Sequence, residues 1–330
     1  MNERYLVDLN NEDHWMYPAE YITPQGNKSE DQRTIFLSEG PGSMFTVTDS
    51  VMYPTPPGLP DGVACHEHQR GWEDFFVDDG TMDLFVNGMK TLVTPGDIIH
   101  LQNYEAHGMT FHSPVKYRGF FHHLVNYESQ AELYILRKKN PQIMQDPDFM
   151  RVRATGYTGG GRDFYVREKP IWEEVPVEQN SAIRNIKRPL MTFKLDGITM
   201  KMMTRRWENG GHCEMWAMEL DQGFKAVSDK YLNHSELYYI TAGQVKFRIW
   251  EDEYIAGPEC VVKVPALANF DFTATKDSVM YDVGGVSRWQ AYLSDRASVL
   301  QYDPERAKDP AVFETMRTVF GVQLDIGLTK

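Results

Sequence analysis

The chain has 330 residues, 42 % apolar and 25 % charged, the balance of a folded globular protein with room for two domains. Its 34 Lys and Arg against 47 Asp and Glu give a formal charge of −13, which argues against nucleic acid as a partner and leaves a small molecule as the expected one. No apolar run reaches membrane-spanning length, the first residues lack the order of a secretory signal, and Cys65, Cys213 and Cys260 form no disulfide framework, so a cytoplasmic protein without membrane contact is expected.

In chain order, residues 1–45 mix polar, proline and aromatic residues without a clear period and read as an extension packed on a barrel. Residues 46–127 read as short strands punctuated by turn signals, among them Asp79-Gly80, Asn87-Gly88 and Pro95-Gly96-Asp97. Met82, Leu84 and Val86 alternate with Thr81, Asp83 and Phe85, the period of a half-buried strand. Residues 128–188 form a connector. It opens on a helical stretch, Glu128 to Lys139, with acids first, bases last and Asn140-Pro141 as its stop. Later it holds Gly159-Gly160-Gly161, a turn rather than a phosphate loop because no Lys-Ser/Thr follows.

Strand texture returns over 189–290. Ser235-Glu236 to Gly243 parallels Trp72-Glu73 to Gly80, each with a glutamate seven residues before a glycine. Ala256-Gly257-Pro258-Glu259 parallels Thr94-Pro95-Gly96-Asp97. The period is far longer than that of a solenoid and implies two copies of one β domain. Residues 291–330 read as a helical tail. Asp309 caps a helix with Pro310 at its first position, and Val312, Phe313, Met316, Val319 and Phe320 line one face, expected to pack on a barrel or a neighbouring subunit.

The chemistry concentrates in Cys65-His66-Glu67-His68 with Glu73 five residues on, and in His107, ten residues after Asp97. Alternate strand residues share a face, so His66 and His68 project together. Three imidazoles and a carboxylate make a site for a first-row divalent metal. Around it, His100, Glu105 and His123 are the candidate catalytic residues: a base or substrate contact near the second motif, a carboxylate in the loop before His107, and a histidine sharing a face with Phe121. The opposing readings are a hydrogen-bonded barrel histidine for His100 and a solvated loop acid for Glu105. His112 falls on the face opposite His107 and reads as structural, as do Cys65 and the pair His234 and Glu236.

These motifs resemble those of the cupin superfamily. His66, His68, Glu73 and Gly80 match its first motif, and Pro95-Gly96-Asp97 with His107 matches its second, with Pro and Gly adjacent rather than separated. The resemblance implies an all-β fold of tandem jelly-roll barrels, a bicupin, with the metal ligands His66, His68, Glu73 and His107 inside the first barrel. In the second copy Asp229 and Tyr231 stand where the paired histidines belong, and Asn269 where the later one belongs. One divalent metal per chain is therefore expected, manganese foremost, with Fe, Zn, Ni or Co also fitting.

In size and one-metal plan the chain is similar to manganese-dependent dihydrophloroglucinol cyclohydrolases. That likeness implies hydrolytic C–C cleavage opening a small cyclic 1,3-dicarbonyl ring, and cupins commonly form dimers or larger homo-oligomers. The same ligands also serve a ring-cleaving dioxygenase of the flavonol or gentisate type and a sugar-acid (ketouronate) isomerase. A non-catalytic ligand-binding cupin is the reading from outside enzymes.

Overall fold

The computed structural model describes residues 5–22, 26–40, 43–56, 62–68, 71–122, 136, 139–140, 142–148, 165–166, 172–205, 214–228, 235–285, 288–322 and 324–328. The chain divides into two compact units, residues 15–185 and residues 1–14 with 186–330. Each is built on two β-sheets, and the fold is all-β, a tandem of jelly-roll barrels. No helix among the described residues is long and apolar enough to cross a membrane.

In the first unit, one sheet runs Ile183–Arg184, Ile98–Leu101, Trp72–Asp79, Val115–His122, Ser43–Met52, Lys28–Gly40, Tyr17–Ile22. The other runs Tyr165–Val166, Val63–Glu67, His107–Phe111, Met82–Val86, Met89–Val93, Glu173–Glu174. Met82, Leu84 and Val86 point inward, as their alternation requires, and join Phe75, Leu101, Met109 and Phe121 in one apolar core. Asn87-Gly88 makes the two-residue hairpin with both residues at positive φ (50° and 79°), the geometry such a turn needs. Gly80 is obligatory for a second reason: a Cβ there would lie 2.1 Å from the Pro114 carbonyl oxygen.

In the second unit the longer sheet runs Leu6–Asp8, Cys260–Val264, Glu236–Ala242, Ser278–Gly285, Glu214–Leu220, Ile198–Thr204, Met191–Leu195. Leu6–Asp8, at the start of the chain, is thus an edge strand on Cys260–Val264. The other sheet ends in Leu324–Leu328, paired with Phe224–Ser228, so the tail contributes a strand as well as helices. Helix α1 spans Arg288–Tyr302 and α2 spans Pro310–Phe320. The Asp309 carboxylate accepts from Ala311 N at 3.0 Å, and Gly321 closes α2 at φ 65°. Met316 and Phe320 pack against the barrel core. Val319 is 76 % exposed, so the apolar stripe of α2 is only partly covered. The helical stretch over 128–139 falls mostly outside the described residues, of which Leu136 and Lys139 are helical.

The two barrels repeat with a constant offset. Glu236 and Gly243 lie 163 positions after Glu73 and Gly80. The positive-φ residues keep the same spacing: Asn87 and Trp250, Gly96 and Glu259, Tyr104 and Leu267. Strand register agrees, because His107 pairs with Val86 as Phe270 pairs with Ile249. The counterpart of His107 is therefore Phe270, one residue beyond the Asn269 expected from motif spacing. The count from Asp97 to Glu259 misses by one because Glu259 occupies the turn position of Gly96, each donating its N–H to the opposite strand, at Ile240 O and Val77 O.

Candidate metal centre

Two sheets deliver the four ligand-type side chains to one place. His66 lies on Val63–Glu67 with His68 just beyond its end, and His107 opens the neighbouring strand as the register partner of His66. Glu73 comes from Trp72–Asp79 in the opposite sheet. Each imidazole offers a ring nitrogen within 4.8 Å of the other two. Glu73 Oε1 lies 3.2 Å from His68 Nε2, and its Oε2 lies 3.4 Å from His107 Nε2. All four residues are buried.

Burial alone would push the Glu73 carboxyl up, but His68 and His107 beside it outweigh that and hold it well below the usual carboxylate range. His107 Nδ1 donates to the Glu105 carbonyl oxygen at 2.9 Å, which fixes the ring's orientation and turns Nε2 towards Glu73. The loop around Glu105 is tied down on three sides. Tyr104 N donates to His68 O at 2.6 Å. The Glu105 carboxylate accepts from Gln102 N at 3.0 Å and from Asn87 Nδ2 at 2.8 Å.

The residues fit a metal ion. Ligands bound at about 2.1 Å stand about 3.0 Å apart on an octahedron and about 3.4 Å apart on a tetrahedron, close to the N–O separations found here. The buried Nε2 of His107 makes no hydrogen bond among the described residues. Imidazole nitrogens of His68 and His107 converging on one buried carboxylate form the mixed N and O donor set that a divalent cation would hold together.

Of the three candidate catalytic residues, the structure brings one to the edge of this centre. Glu105 braces the loop that aims His107, with both carboxylate oxygens engaged. His100 faces away: its strand partner is Asp74, whereas Glu73 pairs with Leu101 in the core. Its Nδ1 lies 2.6 Å from Asp74 Oδ1, and burial pushes that carboxyl up against the pull of His100. His122 shares this outer face, 3.9 Å from Asp74 and stacked on Trp72. His123 lies outside the described residues. His112 pairs with Asp83 at 3.2 Å on the surface. The sequence reading missed Asp74 as the partner of His100. Its signal was the alternation that turns Asp74 outward when Glu73 turns inward.

The second barrel is filled at the corresponding place. Phe270 is buried against Tyr238, whose hydroxyl accepts from Trp289 Nε1 at 2.8 Å. Burial, with Glu236 and Asp282 nearby, pushes the Tyr238 phenol well up. Asp282 replaces Gly119 of the first barrel. Its carboxylate accepts from Gly284 N at 3.0 Å and Gln290 Nε2 at 2.7 Å. Asp229, Tyr231 and His234 lie outside the described residues.

The chain matches no protein-family model and no curated relative. Among solved structures it is similar to Bacillus subtilis oxalate decarboxylase. An arginine-to-alanine variant of that enzyme aligns at 11 % identity and TM-score 0.51, over 99 % of this chain and 89 % of that one. The form studied for its Mn(II) centres aligns at 11 % identity and TM-score 0.50, with the same coverage. A tryptophan-to-tyrosine variant gives the same values. The likeness runs across both units of the chain, and the fold it shares is the tandem cupin barrel.

Proposed function

We propose that the chain is a metal-dependent enzyme that opens a small, uncharged cyclic 1,3-dicarbonyl ring by hydrolytic C–C cleavage. Its centre would hold one divalent ion, manganese foremost, on His66, His68, Glu73 and His107. The observation that carries this reading is the contrast between ligands and surroundings. The core residues next to Glu73 and His107 are apolar: Phe75, Val86, Leu101 and Phe121. Such walls suit a neutral ring better than a small dianion such as oxalate, whose desolvation would need buried cations. The Mn(II) centres named for the oxalate decarboxylase support the choice of metal.

When bound, the ion would polarise a substrate carbonyl and acidify water. The protein's own part is positional. The Glu105 carbonyl accepts from His107 Nδ1 and so keeps the ring turned with Nε2 towards the centre. Phe75 and Phe121, packed edge to face at 5.4 Å, offer flat apolar surface and exclude bulk water. In the reaction, a water oxygen adds to one carbonyl carbon. The ring C–C bond then breaks, its electron pair passes to the enolate of the second carbonyl, and a proton completes the open-chain keto acid.

Turnover of cyclic 1,3-diketones by manganese-loaded protein under strict anoxia, read by mass spectrometry, tests this. A product heavier than substrate by one water is expected. A product carrying two added oxygen atoms, formed only with O2, would replace the proposal by a ring-cleaving dioxygenase, and an isomer of unchanged mass by an isomerase.

A further inference from the structure

We propose that the rim of the second barrel binds a small organic ammonium ion, in a crevice distinct from the metal centre of the first. The crevice has a volume of about 390 Å³ and is lined by Tyr5, Trp250, Glu251, Asp252 and Pro265. Trp250, Pro265 and Ala268 stand 163 positions after Asn87, Gln102 and Glu105, the residues whose hydrogen bonds brace the loop beside the metal centre. The second barrel has lost that brace: proline has no N–H to donate and alanine no carboxylate to accept. Trp250 N donates to Asn269 O at 3.0 Å, next to Phe270, which fills the interior with Tyr238. A ligand at this end of the second barrel therefore has the rim alone to bind.

The lining is aromatic and acidic. Trp250 is 38 % exposed, and its indole has neither a ring nor a cation against it among the described residues. It stands at φ 56° where Asn87 stands at φ 50° in the first barrel, a backbone that asparagine takes readily and a bulky ring does not. Glu251 and Asp252 follow it, both exposed, and neither carboxylate makes a hydrogen bond or an ion pair among the described residues. The cations of the same hairpin are engaged elsewhere: Arg248 Nε donates to Asp271 at 2.7 Å, and Lys246 Nζ lies 2.8 Å from Glu253. An exposed indole beside two unpaired carboxylates attracts a cation, and the net charge of −13 favours its approach. Tyr5 and Pro265 add apolar wall, which selects an ion with an apolar body over a hydrated inorganic one.

The test is calorimetric titration of the full-length, metal-loaded protein with choline and, separately, with neohexanol, the alcohol in which carbon replaces the charged nitrogen. Saturable binding of one choline per chain is expected, about tenfold tighter than neohexanol, the worth of a cation on an aromatic face. Trp250→Asn, which suits the backbone of the turn, should weaken choline by about tenfold, whereas Trp250→Phe should keep most of the affinity. The comparison of choline with neohexanol needs no variant, so a folding defect cannot imitate it. Absence of saturable choline binding, equal affinity for neohexanol, unchanged affinity in Trp250→Asn, or displacement of choline by an equal concentration of potassium would each overturn the proposal.

Discussion

His107 illustrates how much of the centre depends on groups that never meet a ligand. Its aim is set by the Glu105 carbonyl, and the Glu105 carboxylate in turn holds the loop through Gln102 N and Asn87 Nδ2. Replacing Glu105 by Ala keeps the carbonyl and removes the brace. Metal affinity, measured by competition with a chelator, should fall about tenfold, the usual effect of losing a supporting contact. A second residue reports through pH. Burial pushes the Glu30 carboxyl up to about 7, opposed by a hydrogen bond from Ser50. A carboxyl raised on folding binds more protons folded than unfolded between its ordinary value and about 7. Stability therefore falls as pH rises through that window. Glu30→Gln should flatten this slope and gain about 1–2 kcal/mol at pH 8, read from denaturant melts at several pH values.

At the scale of elements, the two barrels place bulky residues where a turn prefers glycine. Tyr104 at φ 65° and Leu267 at φ 67° occupy the same point of equivalent turns, and both are exposed. Such a conformation costs of order 1–3 kcal/mol, more than the entropy that glycine adds to the unfolded chain. Leu267→Gly should therefore raise stability by about 0.5–1 kcal/mol, seen as a higher Tm. These elements also mark what the sequence made legible. The hairpin at Asn87-Gly88, the inward face of Met82, Leu84 and Val86, and the cap at Asp309 follow from local rules and stand as read. For His100 the sequence offered both a catalytic contact and a hydrogen-bonded barrel histidine, and the structure has the second; its partner Asp74 could not be read, because it depends on which strand lies beside Ile98–Leu101, a long-range pairing. The match of Asn269 to His107 failed by one residue, since motif spacing cannot see that Glu259 took the place of Gly96 in the turn. The short edge strand Leu6–Asp8 had no period long enough to reveal it.

Across the whole molecule, one barrel gathers three imidazoles and a carboxylate in an apolar shell, and its repeat packs Phe270 and the Tyr238–Trp289 pair at the corresponding place. The proposed division of labour is a metal-bearing first barrel and a second barrel whose interior is closed by aromatic side chains. Metal analysis of protein purified without chelator, beside His107→Ala prepared in the same way, tests this most directly. One divalent ion per chain in the native protein, lost in His107→Ala while the fold persists by circular dichroism, is the result predicted. Two ions per chain, none in the native protein, or an ion retained in His107→Ala would contradict it.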